Sequence, residues 1–168
     1  MLVVLSGLPA SGKSAIAEEL GPRLPAAVLS VDPIEAAICR SGIPQSFETG
    51  LAAYEVAAAL TESHLRLGLS VIADAVNSLE IARQMWRDAA EQSGAALRVI
   101  EVVCREPDVH RQRLESRERD LDGFPEPTWV DVVARQDEWE DWNEERLVID
   151  SCQSLTDNVD RALAHILR

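Results

Sequence analysis

The chain has 168 residues, 46% of them hydrophobic and 27% charged, with 16 Lys and Arg against 29 Asp and Glu and a formal net charge of −13. That length supports one substantial core and is short for two, so a single domain over residues 1–168 is expected. The charge disfavours nucleic acid as a partner, and no apolar run is long enough to cross a bilayer, so a cytoplasmic protein without membrane contact is expected.

The apolar run Leu2-Val3-Val4-Leu5 predicts a strand over 2–6, and GLPASGKS, residues 7–14, follows it directly. This matches G-x-x-x-x-G-K-[ST] in the context the motif needs, with a strand before it and a helix behind it that turns Ile16, Ala17 and Leu20 inward. Glycines at both ends let successive amide N–H groups converge on an anion, and the helix adds its positive end. Gly7, Pro9, Ala10, Ser11, Gly12, Lys13, Ser14 and Ala15 are therefore the expected phosphate cradle. Within it, Lys13 is expected on the β and γ phosphates and Ser14 on Mg²⁺.

Further strands are predicted at 26–31, 70–74, 97–103 and 146–150, alternating with helical patterns, which implies a mainly parallel sheet. Asp32-Pro33-Ile34-Glu35 reads as a helix start capped by Asp32, and Asn77-Ser78-Leu79-Glu80 as one capped by Asn77. Thr128 and Ser154 are weaker caps of the same kind, each with an aspartate three residues on. An Ala-rich helix is expected over 49–67 and a closing amphipathic helix over 154–167.

Residues 107–119 hold Arg111, Arg113, Arg117 and Arg119 but only Val109 and Leu114 as large apolar residues, and the irregular DLDGFPEPT follows. A lid over about 107–127 is expected, with Arg113 and Arg117 on one helix face reaching the β and γ phosphates. The alternative is a solvated face knitted by Arg111, Glu115 and Arg119. Asp32 and Asp74 fall at strand ends, where a carboxylate serves as base toward a hydroxyl or holds a Mg²⁺ shell. Cys39, Cys104 and Cys152 lie far apart with no C-x-x-C, which favours free thiols over a disulfide framework or zinc. The histidines show no metal-ligand spacing and read as ordinary helix residues. The tryptophans read as packing residues, with Trp129 a possible wall of an acceptor pocket, and residues 39–54 are expected to face the cradle from the acceptor side.

GLPASGKS, VLSVDPIEAAI, SVIADAVN and VCREPDVHRQRLESR together resemble the small AAA-type ATP-binding P-loop kinases, a group spanning chloramphenicol phosphotransferase-like, zeta-toxin-like and polynucleotide kinase-like proteins. The resemblance implies an α/β P-loop NTPase fold, a three-layer αβα sandwich with a five-stranded parallel sheet in the order 2-3-1-4-5 and an arginine-bearing helical lid. It also implies ATP and Mg²⁺ as cofactors and phosphoryl transfer to an acceptor hydroxyl. Lys13 and Ser14 match the phosphate and magnesium contacts, Asp32 the acceptor base, Asp74 the acid closing the third strand and Arg117 the lid arginine. Glu35 stands where the polynucleotide kinases carry an arginine for the substrate phosphate, which argues against a nucleic-acid end.

The leading expectation is thus a kinase for a small hydroxyl-bearing molecule such as a nucleoside, antibiotic or sugar derivative. A nucleotide-dependent ATPase or switch acting through a partner and a polynucleotide 5′-hydroxyl kinase are the alternatives. The acceptor's identity, the choice between ATP and GTP, and monomer against homodimer are left open by the residues.

Overall fold

The computed structural model describes residues 1–117, 121 and 124–168. Five strands, β1 (Leu2–Ser6), β2 (Ala26–Ser30), β3 (Ser70–Asp74), β4 (Leu97–Val103) and β5 (Arg146–Asp150), pair in parallel in the order β2-β3-β1-β4-β5. The strand positions agree with the sequence expectation, β2 ending one residue earlier. Seven helices accompany them among the described residues: α1 (Lys13–Arg23), α2 (Val31–Arg40), α3 (Phe47–Arg66), α4 (Glu80–Gln92), α5 (Pro107–Glu115), α6 (Trp129–Asp137) and α7 (Leu155–Ile166).

Strand β1 is buried along its whole length because helices cover both faces of the sheet. Its side chains alternate between two cores. Leu2 and Val4 join Val71, Ala73, Trp86 and the alanine face of α3. Val3 and Leu5 join Ile16, Leu20, Ile100, Ile149, Val159 and Ile166 against α1 and α7. Each such aliphatic side chain contributes about 1.5–3 kcal/mol through burial, so the layers are fixed by β1 from both sides. The strand order reverses around β1, with β3 on one side and β4 on the other, and this opens a crevice at its carboxyl end.

Two expected caps lie elsewhere. Helix α2 starts directly at the end of β2 with Ser30 as its N-cap residue, so Asp32 sits inside the first turn and not at the cap position. Asn77 does not cap α4, whose N-cap is Leu79. It is buried in left-handed backbone (φ 57°), where its Nδ2 donates to the Leu5 carbonyl at 2.9 Å and its Oδ1 accepts from Trp86 Nε1 at 2.8 Å. Bonding the core outweighs capping a helix that starts three residues later. The Thr128 and Ser154 caps form as expected. No described helix is long and apolar enough to cross a membrane.

Candidate active site

The segment joining β1 to α1 takes its shape from residues that tolerate positive φ. Gly7 has φ 152°, and a Cβ there would stand 2.2 Å from the Val102 carbonyl oxygen, so only glycine fits beside β4. Gly12 follows at φ 99° as the residue before α1, and Ala10 between them is held at φ 60°. Lys13 is buried, and its Nζ donates to the Leu8 carbonyl at 3.0 Å, folding the side chain back over the turn. The Ser11 hydroxyl is buried in the same turn without a hydrogen-bond partner among the described residues.

Beside the turn stands Asp74, 6% exposed at the end of β3 and in register with Leu5 of β1 and Ser30 of β2. Its Oδ2 accepts from Ser14 Oγ at 2.7 Å and from Ser30 Oγ at 3.2 Å, while its Oδ1 is buried without a hydrogen-bond partner among the described residues. A buried carboxylate oxygen left in this condition is costly and is satisfied by a cation. The Ser14–Asp74 pair therefore fits Mg²⁺. Among the described residues there is no group of three His, Cys, Asp or Glu able to hold a metal by itself, so phosphate oxygens and water would complete the shell. Ser30 escaped notice in the sequence because a strand-end serine carries no motif.

A cleft of about 760 Å³ opens next to the turn, reaching it at Pro9. Asp32 and Glu35 of α2 line it, as do Gln45, Ser46, Phe47, Gly50, Leu51 and Tyr54 from the segment expected on the acceptor side. The start of α4 and residues 124–127 close the rest, together with Asp131, Arg135 and Glu138, whose place in the cleft no local motif announces. Tyr54 is held by the Asn77 amide, which donates to its hydroxyl at 3.0 Å, and burial first of all raises its pKa, so it stays protonated.

The lid departs from expectation. Helix α5 ends at Glu115, so Arg113 and Arg117 do not share a helix face. Leu114 is the last buried apolar side chain of the helix. Arg113 turns to the segment after β5, with Nη1 donating to Ser151 Oγ at 2.8 Å and Nη2 to the Ser151 carbonyl at 3.0 Å. Arg117 pairs with Glu126 at 3.9 Å. The Arg111–Glu115 pair forms at 2.7 Å, and Arg119 lies outside the described residues.

His110, expected to be an ordinary helix residue, is buried with its Nε2 2.7 Å from the Pro9 carbonyl oxygen, which ties α5 to the turn. Trp129 packs edge-on against His110 and does not line the cleft. Next to Arg113 the Cys104 and Cys152 sulfurs stand 3.4 Å apart, both as thiols. Withdrawal from water raises the Cys152 pKa.

A family profile described as an AAA domain matches residues 2–139. No curated protein matches the chain. Among solved structures, a sugar kinase from Janibacter sp. HTCC2649 superposes with TM-score 0.76 at 19% identity, covering 98% of this chain and 93% of that one. An APS kinase from Mycobacterium tuberculosis in complex with AMPPNP and APS gives TM-score 0.73 at 15% identity, covering 99% and 97%. Kti12 from Chaetomium thermophilum, in complex with ADP-AlF3, gives 0.72 at 17%, covering 99% of each chain. At these identities the likeness is one of fold.

Proposed function

Since the chain belongs to the AAA domain family and has the fold of the small P-loop kinases, we propose that it is an ATP-dependent kinase that transfers the γ-phosphate to a hydroxyl of a small molecule. One observation carries this reading. Asp32 stands on the wall of a cleft that meets the phosphate turn at Pro9, so a carboxylate and an acceptor-sized space adjoin the place where phosphate would sit.

In this mechanism the amides of residues 7–14 and the start of α1 hold the phosphates, and Lys13 moves from the Leu8 carbonyl onto the β and γ groups. Ser14 and Asp74 would hold Mg²⁺, which supplies charge neutralisation on the phosphate oxygens. The acceptor oxygen attacks the γ-phosphorus as the bond to the β–γ bridging oxygen breaks. ADP leaves, and the hydroxyl proton passes to the Asp32 carboxylate, which also orients the attacking oxygen. Arg113 and Arg117 are the lid cations available to the phosphates, on release from Ser151 and Glu126. An acceptor of modest size fits the cleft, whereas a polynucleotide would bring phosphates against its carboxylates.

The test is incubation with ATP, Mg²⁺ and a library of hydroxyl compounds, read by mass spectrometry. A product heavier by one phosphoryl group is expected. ATP consumed with water as the sole acceptor across the library would overturn the reading in favour of an ATPase or switch.

A further inference from the structure

His110 is a buried polar side chain that takes no part in the phosphoryl transfer itself. It is 5% exposed near the start of α5, and its Nε2 stands 2.7 Å from the Pro9 carbonyl oxygen. A carbonyl accepts and cannot donate, so Nε2 carries the proton and the imidazole is the donor. Burying an imidazole is costly without a partner, and Pro9 provides one. The ring is further held by Trp129, edge-on with 5.3 Å between centres.

The backbone that this bond reaches has few other ties. Among the described residues, it is the one hydrogen bond that joins the backbone of Leu8, Pro9 or Ala10 to anything outside residues 7–14. Ala10 has φ 60°, a left-handed conformation that alanine adopts only at a cost, so its surroundings must hold it there. The Pro9–Ala10 peptide is trans and planar, so its C=O and N–H point in opposite directions. With the carbonyl fixed toward α5, the Ala10 N–H is turned away from α5. An anion nest asks this of its amides: N–H groups inward and carbonyls outward, because a carbonyl dipole rotated inward repels phosphate.

Resting on the kinase reading above, we infer that His110 is a positioning residue for the nucleotide: by holding the Pro9 carbonyl outward, it keeps the Ala10 N–H aimed at the phosphates. Its place between Pro9 and Trp129 also ties the turn to the start of α6, the helix whose Asp131 and Arg135 line the cleft.

The experiment measures AMPPNP binding in the presence of Mg²⁺ by isothermal titration calorimetry, in the full chain and in variants at this position. His110→Phe keeps a ring against Trp129 and drops the donor. His110→Gln puts an amide N–H near the place of Nε2, and His110→Asn has one too short to reach Pro9. The phenylalanine and asparagine variants are expected to bind AMPPNP about tenfold or more weakly, as for one hydrogen bond aimed at a charged group, and the glutamine variant to return to within about threefold of the parent. The Ala10 amide signal, assigned in NMR spectra of alanine-labelled protein by its loss in Ala10→Gly, is expected to shift on AMPPNP binding in the parent and in His110→Gln, and far less in His110→Phe. Unchanged affinity in the phenylalanine and asparagine variants, even with a lowered Tm, makes His110 a packing residue and overturns the inference while the kinase reading stands. A loss in His110→Gln as large as in His110→Asn overturns it equally, and that pair decides the matter if His110→Phe does not fold. A parent protein that binds no AMPPNP overturns both.

Discussion

At the scale of the residue, Asp32 and Lys13 make separable predictions. Asp32 sits in the first turn of α2, whose N-cap position is held by Ser30, so Asn at this place keeps the side-chain shape without moving the helix start. Asp32→Asn is expected to keep nucleotide-dependent thermal stabilisation while lowering phosphoryl transfer by about 10²–10⁴-fold. Lys13→Ala is expected to lose the stabilisation itself, and a thermal shift titration with ATP checks both. Glu35 gives a pH prediction. Its pKa in the folded protein is raised, chiefly by burial, so the folded state holds the proton more tightly than the unfolded chain. Stability from this group is complete below its unfolded pKa and is lost as pH rises through the folded one. Glu35→Gln is therefore expected to raise the Tm by about 2 °C or less at pH 7, with the difference vanishing near pH 4.

At the scale of the element, the segment after α6 is tied to α4 by Arg83, alongside the Glu140 amide on the Ser78 carbonyl and the Arg87–Glu144 pair. Arg83 of α4 is 1% exposed, with Nε donating to the Asn77 carbonyl at 2.9 Å, Nη1 to Asp141 at 2.8 Å and Nη2 to Glu140 at 2.6 Å. Its guanidinium lies 4.1 Å from the Trp142 ring centre. This fastens residues 139–142 to the end of β3, next to the Asn77 that positions Tyr54. Arg83→Met removes the donors, leaving the buried Asn77 carbonyl and the half-buried carbonyls of the 140–141 segment without them, so a loss of about 2–3 kcal/mol is expected in urea unfolding. A lost cleft would accompany it, since Glu138 and Ser78 line the same space.

At the scale of the whole molecule, the sheet was legible because both faces are covered and each strand reads as a short apolar run between turn signals. The turn at residues 7–14 was legible for a different reason, because close approach to Val102 leaves glycine no substitute. Contacts set by tertiary packing were not. His110 on Pro9, Ser30 on Asp74 and Arg113 on Ser151 join residues 101, 44 and 38 positions apart, and no local spacing announces them. The end of α5 was missed because arginine and glutamate favour a helix whatever their packing, and Leu114 is the last buried apolar side chain that α5 carries.

The neighbouring Cys104 and Cys152 sulfurs carry a consequence for anyone who handles the protein. A gap of 3.4 Å needs to close only to about 2.05 Å to form a bond, and the two loops involved are the ones Arg113 spans. A preparation exposed to a peroxide is therefore expected to lose two hydrogens in intact mass, reversibly with dithiothreitol, and Cys152→Ser to lose none. Until it is stored in reductant, a single vial would contain two species rather than one.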